Sequence, residues 1–275
     1  MGVQEFISRV AACVPVTVKT ALRGRSSSPS RFAKAIHSVL NLLSDERYPV
    51  LPCAGALKGF RMRVDWQIHR SLAYGSWEPE VTDAIRQCVQ PGMTVIDIGA
   101  HSGYFTLLLS KLVGPEGKVI AFEPLPANFR FLEENVSLNA LQNVIARREA
   151  VAERSGEMKF EFPHEVASLV AGPVLESESR GTFVVPGVSL DDCFHEIGLA
   201  VHFIKMDVEG AEADVLRGAR DTLTSFHPCM MIELHNMNTQ TGRHPAVILA
   251  EEYGYQVEWI EEDRYTAHIL ARWKG

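Results

Sequence analysis

The sequence predicts an α/β fold: a doubly wound, mainly parallel sheet with a C-terminal antiparallel hairpin, preceded by a helical N-terminal extension. Three observations carry this expectation. From about Glu78 onward, short β-branched runs alternate with segments whose apolar residues recur every three or four positions. One of those runs, Thr94 to Ile98, leads directly into a glycine-bearing turn and a helix. The next run ends in an acid, Glu123. Alternation of this kind belongs to parallel strands covered by helices on both faces.

The elements follow in order. Phe6, Ile7, Val10, Ala11 and Val14 recur at helical spacing, and Pro15 ends that helix. Arg23 to Arg31 is basic and serine-rich and reads as a loop. Phe32, Ile36, Val39, Leu40 and Leu43 mark a second helix. Residues 1–75 are therefore expected to form an extension packed on a domain of residues 76–275, with a lid or a homodimer contact as the alternative. Arg61 to Ile68 suits a short strand. Glu78 to Val89 suits a helix with Pro79 in its first turn, broken by Pro91-Gly92. Thr94 to Ile98 and Lys118 to Phe122 are strands, each followed by a helix, Tyr104 to Val113 and Ala127 to Leu138. Val144 to Val151 and Glu157 to Phe162 are strand-like, and Ser189 to Ile197 is helical. Val201 to Met206 is a strand, Ala211 to Leu223 a helix, Cys229 to Leu234 a strand and Ala246 to Tyr253 a helix. Tyr255 to Ile260 and Tyr265 to Ala271 form the closing hairpin, which adds an antiparallel strand at or near one edge.

Composition narrows the function. With 275 residues, 46% of them apolar, the chain can bury the core of one domain plus extra segments. A net charge of -7 argues against wrapping a phosphate backbone, so no nucleic-acid partner is expected. The five cysteines, Cys13, Cys53, Cys88, Cys193 and Cys229, are far apart in the chain and form no CxxC pair. That pattern fits reduced thiols better than a disulfide framework or a zinc ribbon. No apolar run reaches the ~18 residues of a membrane span, and no secretory leader is evident, so a cytoplasmic protein is expected.

The chemistry concentrates between Val95 and Glu123. In Val95-Ile96-Asp97-Ile98-Gly99-Ala100-His101-Ser102-Gly103 the glycines are spaced G-x-x-x-G rather than G-x-G-x-x-G. Gly99 permits the turn, and Gly103 lets the helix start lie close to a ligand at the carboxyl ends of the strands. Asp97 is placed to receive an ammonium group, and Glu123 to accept both hydroxyls of a ribose. Glu149 or the neighbouring backbone, at the end of the third strand, would meet an adenine ring. Each residue also has an ordinary explanation: Asp97 a cap, Glu123 a strand-end charge, Glu149 an exposed loop acid. Together, on two consecutive strands, Asp97, the glycines and Glu123 favour one adenosyl ligand.

The run Asp97-Ile98-Gly99-Ala100-His101-Ser102-Gly103-Tyr104-Phe105 resembles the glycine motif of FkbM-type methyltransferases. So do Phe122-Glu123-Pro124, Ser189-Leu190-Asp191-Asp192, Ile232-Glu233 and, above all, Lys205-Met206-Asp207-Val208-Glu209-Gly210-Ala211-Glu212. The similarity spans roughly Glu78 to Glu233. It implies a class I methyltransferase (Rossmann-like) fold, S-adenosylmethionine as cofactor, and O-methylation of a small-molecule acceptor, a sugar or secondary metabolite. N-methylation of an amine is the alternative, and an NAD-dependent oxidoreductase is the rival from another class. The expected cofactor set is Glu78, Asp97, Gly99, Ala100, His101, Gly103, Tyr104, Glu123, Pro124, Asn128, Glu149, Ala150 and Asp207. His101 stands where the family more often has Asn; either is expected to cap the following helix.

Lys205, Asp207 and Glu209 alternate and share one side if their strand continues that far. Asp207 is the first candidate for contact with the acceptor or the cofactor's charged end, and Glu209 the second. Lys205 would hold the carboxylates or stabilise a developing alkoxide. The competing explanation is that Asp207 and Glu209 cap a helix starting near Ala211. His235, after Glu233 on the next strand, is a candidate general base. Asp207, Glu233 and His235 are the candidate ligands for a divalent metal such as Mg2+, although a hydrogen-bonded cluster without metal is the favoured expectation. Glu78 would reach the cofactor's amino-acid end or cap its own helix, and Tyr74 and Trp77 are candidate covers, with core packing the more ordinary role for aromatics.

Overall fold

The computed structural model describes residue 48 and residues 50–65, 77–161, 182–237, 243–262 and 266–275. The expected N-terminal helices, the lid or dimer contact, and Tyr74 lie outside those residues. Strands β1 (Val50–Pro52) and β2 (Arg61–Arg63) pair antiparallel around one 3-10 turn. Helix α1 (Pro79–Cys88) opens on its proline, whose missing amide has no intrahelical partner to lose. Strand β3 (Thr94–Ile98) is buried at every residue, as a strand covered on both faces must be. Helix α2 (Tyr104–Val113), β4 (Lys118–Phe122), α3 (Pro126–Leu138) and β5 (Val144–Arg147) follow.

Two expected elements divide. Val144 to Val151 was expected as one strand-like run, but β5 stops at Arg147 and β6 (Ala150–Val151) joins another sheet with β7 (Gly156–Glu161) and β8 (Thr182–Val188). The hydrogen bonds explain the break. The Arg147 carbonyl accepts from the Glu123 amide beside β4, while the Ala152 amide already donates to Val188 of β8. Strand β8 is not anticipated by periodicity, because Pro186 and Gly187 interrupt its run. Helix α4 (Leu190–Ile197) is capped by Ser189, whose hydroxyl accepts from the Asp192 amide at 3.1 Å. After β9 (Phe203–Met206), the single helix expected over Ala211 to Leu223 is two, α5 (Glu212–Arg217) and α6 (Arg220–Phe226). The Asp191 carboxylate accepts the Asp221 and Thr222 amides at 3.1 and 2.8 Å and so holds the new helix start. Strand β10 (Cys229–Leu234), α7 (Pro245–Glu252), β11 (Tyr255–Glu262) and β12 (Ala267–Trp273) complete the described chain.

The central sheet has the order β11-β12-β10-β9-β3-β4-β5. Strand β12 runs antiparallel to both neighbours, and the pairs from β10 to β5 are parallel. The expected hairpin is present, with β12 inserted between β10 and β11. The strand pleat sorts the core into two layers. Val95, Val119, Phe203, Met231 and Leu270 face α1 and α2. Ile96, Ile120, Ile204, Ile232 and Ile269 face α4 to α7. Leu132 of α3 packs on Ala121. Among the described residues no helix is long and apolar enough to cross a membrane.

Candidate active site

Alternation along the strands brings the chemistry to one face. Asp97 lies opposite Lys205 in the parallel β3–β9 pair, and Glu233 lies opposite His268 in the antiparallel β10–β12 pair. All four alternate with Val95, Phe203, Met231 and Leu270, so they share the layer that α1 and α2 cover.

The glycine turn and Glu123 meet. The Gly99 and Ala100 amides both donate to the Phe122 carbonyl, and the His101 amide donates to Glu123 Oε2 at 2.8 Å. Gly99 has φ 76, and a Cβ there would stand 1.8 Å from the Asp207 carbonyl oxygen. Glycine is therefore demanded by the contact between the tips of β3 and β9, which the Asp207 amide closes by donating to Ile98 at 3.0 Å. Glu123 is 4% exposed; its Oε1 accepts the Leu125 amide at 2.9 Å and the Asn128 side chain at 3.4 Å. Burial pushes its carboxyl up to about 7, against the Leu125, His101 and Asn128 hydrogen bonds. Pro124 is half-buried beside it, and Tyr104 is buried with its ring edge-on to Phe105. His101 does not cap α2. The cap residue is Gly103, and His101 itself adopts a left-handed backbone with φ 51. Asn and His are among the residues that tolerate that conformation.

Asp97 is fully buried. Its Oδ2 accepts the Thr106 hydroxyl at 2.5 Å, and its Oδ1 has no hydrogen-bond partner. Burial raises its pKa, with Lys205 and the Thr106 hydroxyl opposing. Its hydrogen bond is thus to a hydroxyl on α2, not to a turn amide as a cap would require. On the third strand the arrangement differs from expectation. Glu149 is engaged by Arg147, with Nη2 3.0 Å from Oε1, and Ala150 is buried in the second sheet opposite Gly187.

Lys205 Nζ lies 3.3 Å from Asp207 Oδ2 and 5.0 Å from the centre of the Phe105 ring. Burial alone would weaken its hold on a proton, but Asp207, Asp97, Glu78 and Glu233 outweigh it and keep the ammonium charged. Burial also works against the Asp207 carboxylate, yet Lys205 and His235 hold its pKa below the ordinary range. Strand β9 stops at Met206, so Glu209 does not continue the alternation. It enters through a left-handed turn with φ 53, and its carboxylate lies 3.3 Å from His235 Nε2. The cap position of α5 is Ala211, which offers no side-chain cap, so neither Asp207 nor Glu209 is the N-cap residue of that helix. Glu212, fully buried, does the local work: its Oε1 accepts from the Gly210 amide and from His235 Nδ1.

His235 Nε2 also lies 3.8 Å from Glu233 and 3.9 Å from Asp207. Burial would lower its pKa, but Glu212, Glu209, Asp207 and Glu233 push it to about 9. Near neutral pH it carries its proton, which counts against the general-base role expected for it. Glu78, at the start of α1 with φ 40, makes no side-chain cap; its Oε2 lies 3.4 Å from His268 Nε2. Trp77 packs on the core layer. His268, Glu212 and Thr106 were not singled out from the sequence. The available signal for His268 was a lone imidazole inside the apolar run Ala267-His268-Ile269-Leu270-Ala271. The ligand atoms of Asp207, Glu233 and His235 fall within 4.8 Å of one another, and so do those of Glu78, Glu233 and His268.

Comparison with known proteins agrees with this geometry. The methyltransferase FkbM domain model matches residues 97–257. The chain is 26% identical over 200 residues to Methyltransferase 1 of Beauveria bassiana, spanning 65% of this chain and 80% of that protein. It is 27% identical over 202 residues to the 31-O-demethyl-FK506 methyltransferase FkbM of Streptomyces tacrolimicus, spanning 62% of this chain and 75% of that one. A crystal structure of methyltransferase FkbM from Methylobacillus flagellatus gives a TM-score of 0.45 at 15% identity, over 93% of this chain and 58% of that chain. The parallel sheet with its one reversed strand is a class I methyltransferase fold. Since the matched domain takes in more than half of the residues, and the glycine turn, Glu123 and the Lys205–Asp207 pair all fall inside it, the chain belongs to the FkbM methyltransferase family.

Proposed function

We propose that this methyltransferase uses S-adenosylmethionine to O-methylate a hydroxyl of a small molecule, a sugar or a secondary metabolite. The observation that carries the cofactor assignment is Asp97 Oδ1, fully buried without a hydrogen-bond partner, behind a glycine turn that contacts Glu123. A buried carboxylate oxygen with no donor calls for one, and an ammonium group supplies it. Glu123, at the tip of the next strand, would accept the ribose hydroxyls, and the Gly99–Gly103 turn would lie against the nucleoside. The cofactor supplies an electrophilic methyl group on a sulfonium. The chain's own residues then position the acceptor and take its proton. Lys205 keeps Asp207 ionised, which suits Asp207 to hold a hydroxyl in place. Glu209 is the better proton acceptor, because burial first, and then Asp207, Glu233 and Glu212, raise its pKa despite His235. The Streptomyces tacrolimicus relative, a methyltransferase of a 31-O-demethyl compound, supports oxygen as the methylated atom. N-methylation of an amine is the second reading, favoured by the excess of carboxylates around Lys205, which would also hold an ammonium acceptor.

The test is a thermal melt of the full chain. S-adenosylhomocysteine at about 100 times its Kd should stabilise by ~2.7 kcal/mol, a rise on the order of 5 °C or more, whereas NAD should give no shift. Asp97→Ala should lose most of the rise. A melt indifferent to S-adenosylhomocysteine would remove the cofactor assignment.

A further inference from the structure

Two asparagines of the α3 segment pair with β2 as a neighbouring strand would. The Arg63 amide donates to Asn135 Oδ1 at 2.6 Å, and Asn135 Nδ2 donates to the Arg63 carbonyl at 3.1 Å. Just past the helix end, the Arg61 amide donates to Asn139 Oδ1 at 2.8 Å, and Asn139 Nδ2 donates to the Arg61 carbonyl at 2.7 Å. A carboxamide offers the same donor and acceptor as a peptide unit. Two residues along a strand advance about 6.7 Å, and four along a helix about 6 Å. Side chains four apart on the helix therefore meet alternate residues of β2 in register.

The two asparagines differ in what else they hold. Asn139 is half-buried, and its further bond is local, to the Asn135 carbonyl at 2.7 Å. Asn135 is fully buried, and its Nδ2 also donates to the Ser102 carbonyl at 2.8 Å. Ser102 is buried in the glycine turn, between His101, whose amide holds Glu123, and Gly103, where α2 is capped. Helix α3 backs that turn closely: a Cβ on Gly103 would stand 2.9 Å from Leu132 Cδ1. One buried carboxamide thus fixes the turn with one hydrogen bond and is itself held by two bonds to the backbone of β2. The bond to Ser102 favours one orientation of its peptide, because a buried carbonyl without a donor is costly. The bonds to Arg63 stop the carboxamide from rotating away.

We propose that Asn135 is a positioning residue of the cofactor site, and that the β1–β2 hairpin completes this site by holding the Asn135 carboxamide against the Ser102 carbonyl. The inference rests on the reading that the Gly99–Gly103 turn binds S-adenosylmethionine. It gives a part in cofactor binding to a hairpin that lies outside the matched domain of residues 97–257. Such coupling is reciprocal, so a bound cofactor must also steady the hairpin.

Full-length wild type, Asn135→Ala and Asn139→Ala are compared by calorimetry with S-adenosylhomocysteine and by hydrogen exchange without it. Each substitution removes one side-chain pair with β2, so both should lower stability in urea, but only the first releases the turn. Asn135→Ala should bind about tenfold weaker, and its Gly99–Gly103 amides should exchange about tenfold faster. Asn139→Ala should stay within about twofold of wild type in both. Should Asn135→Ala not fold, wild type alone gives a second readout. S-adenosylhomocysteine should slow exchange of the Arg61 and Arg63 amides more than that of β7, which belongs to a separate sheet. Wild-type affinity in folded Asn135→Ala, equal losses of affinity in the two variants, or hairpin amides slowed no more than those of β7 would overturn the inference. A wild type with no affinity for S-adenosylhomocysteine would instead defeat the cofactor reading. Faster exchange of the turn in Asn135→Ala would then still uphold its positioning role, and unchanged exchange would overturn that as well.

Discussion

Glu123 combines burial with three hydrogen bonds, and the balance leaves its carboxyl titrating at about 7 rather than near the usual 4.5. The sign of the consequence follows from which form the ligand prefers. Ribose hydroxyls donate to the ionised carboxylate, so binding is favoured above about pH 7 and lost below it. Calorimetry should show S-adenosylhomocysteine binding about tenfold weaker at pH 6 than at pH 8. Glu123→Gln should bind weakly at both values, and a flat wild-type profile would show that Glu123 does not hold the ribose. Folding stability carries its own sign. With the folded pKa raised, the contribution of Glu123 is full below about 4.5 and is lost as pH rises through about 7. Asp97 and Glu123 were legible because each lies within one residue of a strand's end, beside a turn, a local pattern. Glu212 was quoted only as part of a motif, and its role as the partner of His235 needed a strand from elsewhere in the chain.

At the scale of elements, the β3–turn–α2 unit shows how packing fixes a residue. An alanine at Gly99 meets two penalties, a left-handed backbone and a Cβ 1.8 Å from the Asp207 carbonyl. Gly59 separates them: its φ is also positive, at 99, but nothing lies within 4 Å of an added Cβ. Urea denaturation should show Gly59→Ala losing about 1 kcal/mol and Gly99→Ala losing about 3 kcal/mol or more. Equal losses would mean that β3 and β9 separate easily. The strongly periodic helices and strands were read correctly to within a residue or two. Elements were misjudged where their limits are set by distant partners. The start of α6 is held by Asp191 from α4, and the end of β5 by the Glu123 amide.

For the whole molecule, the cysteines make the same point. Cys88 and Cys229 are remote in sequence, but the end of α1 packs where β10 begins, and their thiols interact. Cys88 is the one that ionises first, down to about 6. The Cys229 thiol favours its thiolate, burial opposes it, and Arg272, 3.7 Å away, favours it again. Cys53 is buried and pushed up to about 12. At pH 7 iodoacetamide should therefore alkylate Cys88 well before Cys53, which should react only after unfolding. Peptide mapping checks the order, and equal labelling of the folded protein would refute it. By itself the sequence determined the alternation of strands and helices, the glycine turn and the acid that ends β4, because these are patterns of near neighbours along the chain. The tertiary structure decided the sheet order, and with it that β12 slips between β10 and β11 and sets His268 against Glu233. Strand periodicity fixes which face a side chain takes, but only packing chooses which strand lies beside it.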